Sequence, residues 1–434
     1  MWTQNGFRKY FFNTGYLVLE KVTRTVISFV VWAQVIRYLG PERFGILSFV
    51  LSIVFLFGIL SDLGLNAIVV REIIRHPGNE NQILGSTFTL KLAGSLLAIA
   101  LALSLSWVLV RDIDVVMLIF IISLQLIFQS FDTVDYYFQA HVQSKYSVYS
   151  KLISLSATTF FCLLFIYFKK SLIWFAAIVP IEIAVARIAV FCFYINISKN
   201  VTSWSVSLDM IKDLLRKSWP LIVSGVAISV YMRIDQIMIR QLLGDSQVGL
   251  YSAAVRVSEA LYFIPMVIMS SVFPAIVSSK MQSEDLYYRR LQFVLGILLW
   301  MAVIVAVFIS LFAKFILVGF FGDAYLPAAG VLALHSWACI FVYLGVAGTR
   351  WLINENLQLF SMAYTTLGAI CNIALNFLLI PRYSIYGAAL ATVIAQLIAG
   401  VLANSLNKRT RKIFELQLKA FNMANIFKVR SRLI

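Results

Sequence analysis

Runs of about twenty mainly apolar residues alternate along the chain with short stretches that carry Gly, Pro or clustered charge. That spacing suits helices crossing the hydrocarbon core of a bilayer, which need roughly 20 residues each. Twelve runs are predicted, at 16–38, 45–65, 84–109, 115–138, 148–168, 171–195, 218–243, 248–277, 291–313, 326–349, 358–380 and 384–406. The first follows Arg8 and Lys9 as a signal peptide would, but it is long, holds Glu20, Lys21 and Arg24, and lacks a small-residue cleavage site. It is therefore expected to stay in the chain. The longest polar stretch between runs, 198–217, lies midway and reads as a cytoplasmic linker. It divides the chain into an amino-terminal lobe at 1–197, a carboxy-terminal lobe at 218–406 and a basic tail at 407–434, with six helices in each lobe.

Composition leaves little room for anything else. Hydrophobic residues make up 61% and charged residues 13% of the 434 positions, where a soluble domain carries about 25% charged. Only 20 Asp and Glu are available, so an all-α polytopic membrane protein without a large soluble domain is predicted. The four cysteines, Cys162, Cys192, Cys339 and Cys371, sit inside apolar runs without metal-ligand spacing. They read as packing residues, and neither a metal nor a cofactor is expected.

The formal net charge of +16 becomes informative once its position is known. Basic residues such as Arg71, Arg75, Lys145, Lys151, Arg216, Lys217, Lys280, Arg289, Arg290 and Arg350 fall on the side that also holds both termini. Cytoplasmic loops collect such charge, so both termini are expected in the cytoplasm. The basic tail would then lie against an anionic leaflet, where each Lys or Arg contributes about 1 kcal/mol. No folded soluble module presents these charges to nucleic acid.

An internal repeat is visible. Leu39-Gly40 followed by Gly45-Ile46-Leu47-Ser48 recurs as Leu243-Gly244 followed by Gly249-Leu250-Tyr251-Ser252, an offset of 204 residues. Each copy is the turn between the first two helices of a lobe, where Gly permits a left-handed backbone. Six helices on each side, both lobes starting inside, imply parallel repeats.

Charges within the runs are the main functional clue. A central Arg, Lys or Asp costs about 2.5 to 3.5 kcal/mol on insertion scales. Glu20, Lys21 and Arg24 lie toward one side of the first helix and together would cost roughly 8 to 10 kcal/mol against lipid, so that face is expected to turn inward. Arg233 and Asp235 fall mid-span in the seventh run, and Arg256 and Glu259 are three apart in the eighth. Pairing of Arg256 with Glu259, or of Asp235 with a neighbouring helix, is the structural alternative to ligand contact. Lys91 and Arg187 need a polar lumen or an acid from elsewhere. Asp62, Asp132 and Asp135 read as solvated helix ends, and Asp132, Asp135 and Gln139 among Phe128, Phe131, Tyr136, Tyr137 and Phe138 as an interfacial aromatic belt. His335 reads as a hydrogen-bonded buried histidine. Asp112-Ile113-Asp114 resembles a nucleotide-sugar metal motif but falls on the outer side.

Leu39-Gly40 to Gly45, Ser61-Asp62-Leu63-Gly64-Leu65, Ser218-Trp219-Pro220, Arg233-Ile234-Asp235, Gly249-Leu250-Tyr251-Ser252-Ala253-Ala254, and Asn376 to Pro381 with Gly387-Ala388-Ala389 together carry a resemblance. The chain resembles the polysaccharide transporters of the multidrug/oligosaccharidyl-lipid/polysaccharide (MOP) exporter superfamily, in particular O-antigen flippases of the Wzx type. The resemblance implies two pseudo-symmetric six-helix lobes around a central cavity. It also implies transfer of an undecaprenyl-pyrophosphate-linked oligosaccharide from the cytoplasmic to the periplasmic leaflet of a bacterial inner membrane, with the polysaccharide polymerase machinery and membrane lipids as partners. Arg pairs bidentately with phosphate and stays protonated, so Lys21, Arg24, Lys91, Arg187, Arg233 and Arg256 are expected to receive the diphosphate. Glu20, Asp62, Asp235 and Glu259 are expected to balance them or to carry coupled protons. A drug exporter of the same superfamily would prefer an acidic cavity. A polymerase or ligase would need a sizeable outside loop for its catalytic groups, and every outside loop is short, so a transporter rather than an enzyme is expected.

Overall fold

The computed structural model describes residues 4–110, 112–198 and 203–422, with side chains from Glu20 onward except at 21, 22 and 198. Among these residues there are sixteen α-helices and no strand. They are α1 (Gln4–Asp62), α2 (Asn66–Arg75), α3 (Glu80–Leu109), α4 (Ile113–Ser123), α5 (Gln125–Phe128), α6 (Asp132–Ala140), α7 (Lys145–Tyr167) and α8 (Leu172–Ser198). There follow α9 (Leu208–Leu243), α10 (Asp245–Glu259), α11 (Phe263–Ser279), α12 (Glu284–Phe321), α13 (Ala329–His335), α14 (Ala338–Asn354), α15 (Gln358–Gly400) and α16 (Arg411–Ala420).

Nine helical segments among the described residues are long and apolar enough to cross a membrane, and α13 with α14, bent by 44°, makes a tenth. The first segment bends at Gly40 and the last at Ser384, where the backbone leaves the helical region. Each of these two therefore holds two of the predicted runs. The chain is a multi-pass membrane protein whose helices follow the predicted order. The linker stretch is helical from Leu208, because α9 continues through Pro220 to Leu243 without a break.

Packing divides the chain into two compact units, one of Met1–Leu39 with Ile46–Ser229 and one of Gly40–Gly45 with Val230–Ile434. The first is built round Leu65, Val69, Leu84, Val134, Phe138 and Leu214. The second centres on Met269, Tyr287, Leu295, Leu299, Cys339 and Tyr343. Gly40–Gly45 joins the second unit for a geometric reason. Gly40 (φ 71°, ψ 172°) and Gly244 (φ 90°, ψ 175°) take the same left-handed conformation at equivalent points of the repeat. A Cβ on Gly45 would fall on the Asp245 carbonyl, and one on Gly249 would fall on the Pro41 carbonyl. Residues 41 and 245, like 45 and 249, are related by the repeat offset, so the two turns meet in a reciprocal contact that only glycine allows at its centre.

The tail departs from a purely lipid-facing anchor. Its helix α16 buries Ile413, Leu416, Gln417 and Ala420 while Arg411, Lys412 and Lys419 stay exposed. Gln417 locks it in place, donating to the Gly400 carbonyl at 2.9 Å and accepting from Asn404 at 3.2 Å. At the same end of the second unit, Lys280 bonds both oxygens of Glu355 at 2.8 and 2.7 Å. That hydrogen-bonded carboxylate holds the Lys280 ammonium above the usual lysine range.

Candidate functional site

The strongest concentration of buried charge lies in the first unit. Close helix contact creates it: a Cβ on Gly94 of α3 would strike the Leu60 carbonyl near the end of α1. One turn away, Lys91 thereby comes up against Asp62. Serines pin the crossing, with Ser61 Oγ 2.7 Å from Ser95 Oγ and Ser95 donating to the Leu126 carbonyl at 2.7 Å.

Lys91 has no exposed surface. A bare ammonium there would be prohibitive, so its surroundings must carry negative charge. Its Nζ lies 3.4 Å from Asp62 Oδ1 and 3.3 Å from Asp132 Oδ2. It also donates to Tyr136 Oη at 3.2 Å, and that hydroxyl donates to Asp62 Oδ1 at 3.4 Å. Arg187 of α8 reaches Asp132 Oδ1 at 2.6 Å and Asp135 Oδ2 at 3.9 Å. Lys151 of α7 stands 3.8 Å from the same Asp135 oxygen. Three cations and three carboxylates from α1, α3, α6, α7 and α8 thus form one network. Among the described residues three of its buried atoms, Asp132 Oδ1, Asp135 Oδ1 and Arg187 Nε, have no hydrogen-bond partner, although Asp132 Oδ1 is in ion-pair contact with Arg187. Asp62 is the open edge at 46% side-chain exposure.

Several expectations change here. Asp132 and Asp135 are not solvated helix ends, and two of the aromatics beside them, Tyr136 and Phe138, are core residues. They are 2% and 0% exposed and belong to the core of the first unit. Lys91 and Arg187, which needed acids from elsewhere, find them at these two aspartates. Asp112 accepts from the Asp114 backbone N–H at 2.9 Å and caps α4, which accounts for that motif locally.

The second unit holds a smaller set. Glu259 pairs with Arg233 of α9 at 3.3 Å, across helices. Arg256 is partly buried on α10. Asp235 is 4% exposed, accepts a short hydrogen bond from Tyr251 Oη and takes the Gln236 backbone N–H at 2.7 Å. Tyr251 Oη lies 3.5 Å from Thr392 Oγ1 of α15. His335 is buried with its Nδ1 2.7 Å from Ser258 Oγ, as a hydrogen-bonded core histidine should be. In α1, Glu20 is 6% exposed and pairs with Arg24 at 3.1 Å, while Arg24 itself is 46% exposed. The Lys21 side chain lies outside the described residues. Among the described residues no group of three or more His, Cys, Asp or Glu could hold a metal ion.

Residues 11–282 match the family described as polysaccharide biosynthesis protein, and residues 220–378 match MatE. The chain belongs to the polysaccharide biosynthesis protein family. No curated protein matches it. Among solved structures, a multidrug resistance MATE family transporter of the MOP superfamily in an inward-facing conformation is 13% identical. The alignment covers 94% of this chain and 95% of that one with a TM-score of 0.66. The lipid II flippase MurJ in an inward closed conformation is 14% identical over 95% of this chain and 91% of its own, with a TM-score of 0.68. A MOP superfamily transporter from Pyrococcus furiosus is 13% identical over 97% and 94%, with a TM-score of 0.55.

At such identities the likeness speaks for the fold, and the fold is that of MOP-superfamily transporters. This member of the polysaccharide biosynthesis protein family shares that fold. Its first unit concentrates charge as a neutral network, so an anion can gain its cations only by displacing carboxylates that already hold them.

Proposed function

We propose that the chain flips an undecaprenyl-pyrophosphate-linked oligosaccharide, of the O-antigen repeat type, from the cytoplasmic to the periplasmic leaflet of a bacterial inner membrane by alternating access. Both termini lie in the cytoplasm. The observation that carries this reading is the burial of Lys91 at 0% exposure together with Arg187, in a network whose open edge is Asp62. A diphosphate presents several strong acceptors and competes directly with carboxylates for guanidinium and ammonium groups. When it takes Lys91 and Arg187, Asp62 and Asp132 lose the cations that hold them. The family match supports a polysaccharide cargo, and one structural neighbour, MurJ, is a lipid II flippase. Lys21, Arg24, Arg233 and Arg256 are assigned to the same anionic cargo, with Glu20, Asp235 and Glu259 as their balancing acids. The polysaccharide polymerase machinery is the downstream partner.

A cation-coupled drug exporter is the second reading, favoured by the multidrug transporter among the structural neighbours. Ethidium movement in the same vesicles separates the two.

The test is movement of a fluorescent lipid-linked oligosaccharide in proteoliposomes, with and without an imposed pH gradient. Flipping is expected, and Arg24→Ala, Arg233→Ala and Arg256→Ala should each slow it by roughly tenfold or more, the worth of one charge-assisted hydrogen bond, with normal membrane insertion. Absence of movement under both conditions, or efficient ethidium transport without lipid flipping, would overturn the proposal.

A further inference from the structure

A cavity of about 330 Å³ opens inside the second unit between α9, α14 and α15. Its lining includes Tyr231, Thr349, Arg350, Ser361, Gln396 and Asn404. Pockets of this size take a small ligand such as a single phosphorylated sugar. The helices beneath it are in direct backbone contact, since a Cβ on Gly400 would stand 2.7 Å from the Phe341 carbonyl oxygen.

Three features of the lining are unspent. Arg350 is exposed, and no carboxylate lies within ion-pair distance of it among the described residues. The acid five residues on, Glu355, is already held by Lys280 at 2.7 Å and by the Tyr287 hydroxyl at 3.0 Å. Lys91, Arg187 and Arg233 are all paired, so Arg350 differs from each of these three network cations. Asn404 is 2% exposed, its amide nitrogen bonds Gly400 and Gln417, and its Oδ1 has no partner. Tyr231 Oη is likewise buried without a partner. Leaving buried polar atoms unsatisfied costs stability, and a ligand that satisfies them recovers it.

The needs of these groups define the ligand. Arg350 requires an anion, and a phosphate suits its fork. Asn404 Oδ1 requires a donor and Tyr231 Oη accepts or donates, which sugar hydroxyls answer. We propose that this cavity is a glycosyl-phosphate subsite, in which Arg350 takes the phosphate while Tyr231 and Asn404 hold sugar hydroxyls. As a place on the path of the cargo it rests on the flippase reading, whereas the binding itself does not.

Isothermal titration of the full chain in phosphatidylcholine nanodiscs with glucose 1-phosphate tests it, with glucose and inorganic phosphate as comparators. Glucose 1-phosphate should bind more tightly than either fragment. Arg350→Ala should weaken it about tenfold or more, and Arg350→Lys should retain part of the affinity. Tyr231→Phe removes a hydroxyl that has no hydrogen-bond partner among the described residues, so it should fold normally. It should lower glucose 1-phosphate affinity severalfold and leave that of inorganic phosphate unchanged. Nanodiscs containing phosphatidylglycerol distinguish a lipid headgroup as the source of the anion. No binding, an unaltered Arg350→Ala affinity, indifference to Tyr231→Phe, or displacement of the sugar phosphate by phosphatidylglycerol would each overturn the subsite. Any of these alongside intact flipping leaves the transport proposal standing, while binding without flipping condemns only the latter.

Discussion

Lys91→Ala is expected to destabilise the protein by about 3 to 5 kcal/mol, the usual consequence of removing one partner from a buried ionic group. Lys91 is wholly buried and is held by Asp62, Asp132 and Tyr136 together. Without it, Asp132 keeps Arg187 but loses its second cation, and the space left by the side chain lies between α1, α3 and α6. Asp62→Asn should do far less, because its side chain is 46% exposed and water replaces part of what is lost. Denaturation in detergent, with membrane insertion checked separately, measures both. Lys91→Ala as stable as the parent would mean that the network contributes nothing to the fold. Transport should fall with Lys91→Ala even at temperatures where the variant is folded, since the cargo loses a cation.

Gly45→Val and Gly249→Val should each lower the melting temperature strongly and by similar amounts. In both the new Cβ meets a carbonyl oxygen of the opposing turn, Asp245 for one and Pro41 for the other. Backbone cannot move aside as a flexible side chain does, so overpacking at the upper end of about 1 to 3 kcal/mol, or above it, is expected. Gly78→Val serves as control, because nothing lies within 4 Å of a Cβ there. Unequal effects at the two positions would contradict the reciprocal contact of the repeat.

What could be read from the amino-acid sequence follows from what a bilayer demands. Apolar runs must be long, so the helices and their order were visible, and Gly40 and Gly244 announced their turns through a repeated pattern that the matching dihedral angles bear out. Charges in apolar runs pointed to Lys91, Arg187, Arg233 and Asp235. Partner choice was not legible, because it depends on which helix faces which. Glu259, within reach of Arg256 on its own helix, pairs with Arg233 on another. Asp132 and Asp135 carried a misleading signal, since aromatic neighbours mark a membrane interface as well as a core. Burial of Tyr136 and Phe138 in the first unit decides for the core. Arg350 looked like an ordinary inside-loop charge, and only the cavity beside it and two orphaned oxygens gave it chemical interest.

Paired cations in the helices are proposed to recognise a diphosphate on a lipid-linked glycan. The most direct measurement compares, for the purified chain in neutral nanodiscs, the affinity of an undecaprenyl-pyrophosphate oligosaccharide with that of the same lipid and glycan joined without phosphate. Loss of the diphosphate is predicted to weaken binding by roughly 10- to 100-fold, as the loss of charge-assisted bonds to Lys and Arg requires, and Arg187→Ala should remove most of the difference. Equal affinity for the two ligands would contradict the account.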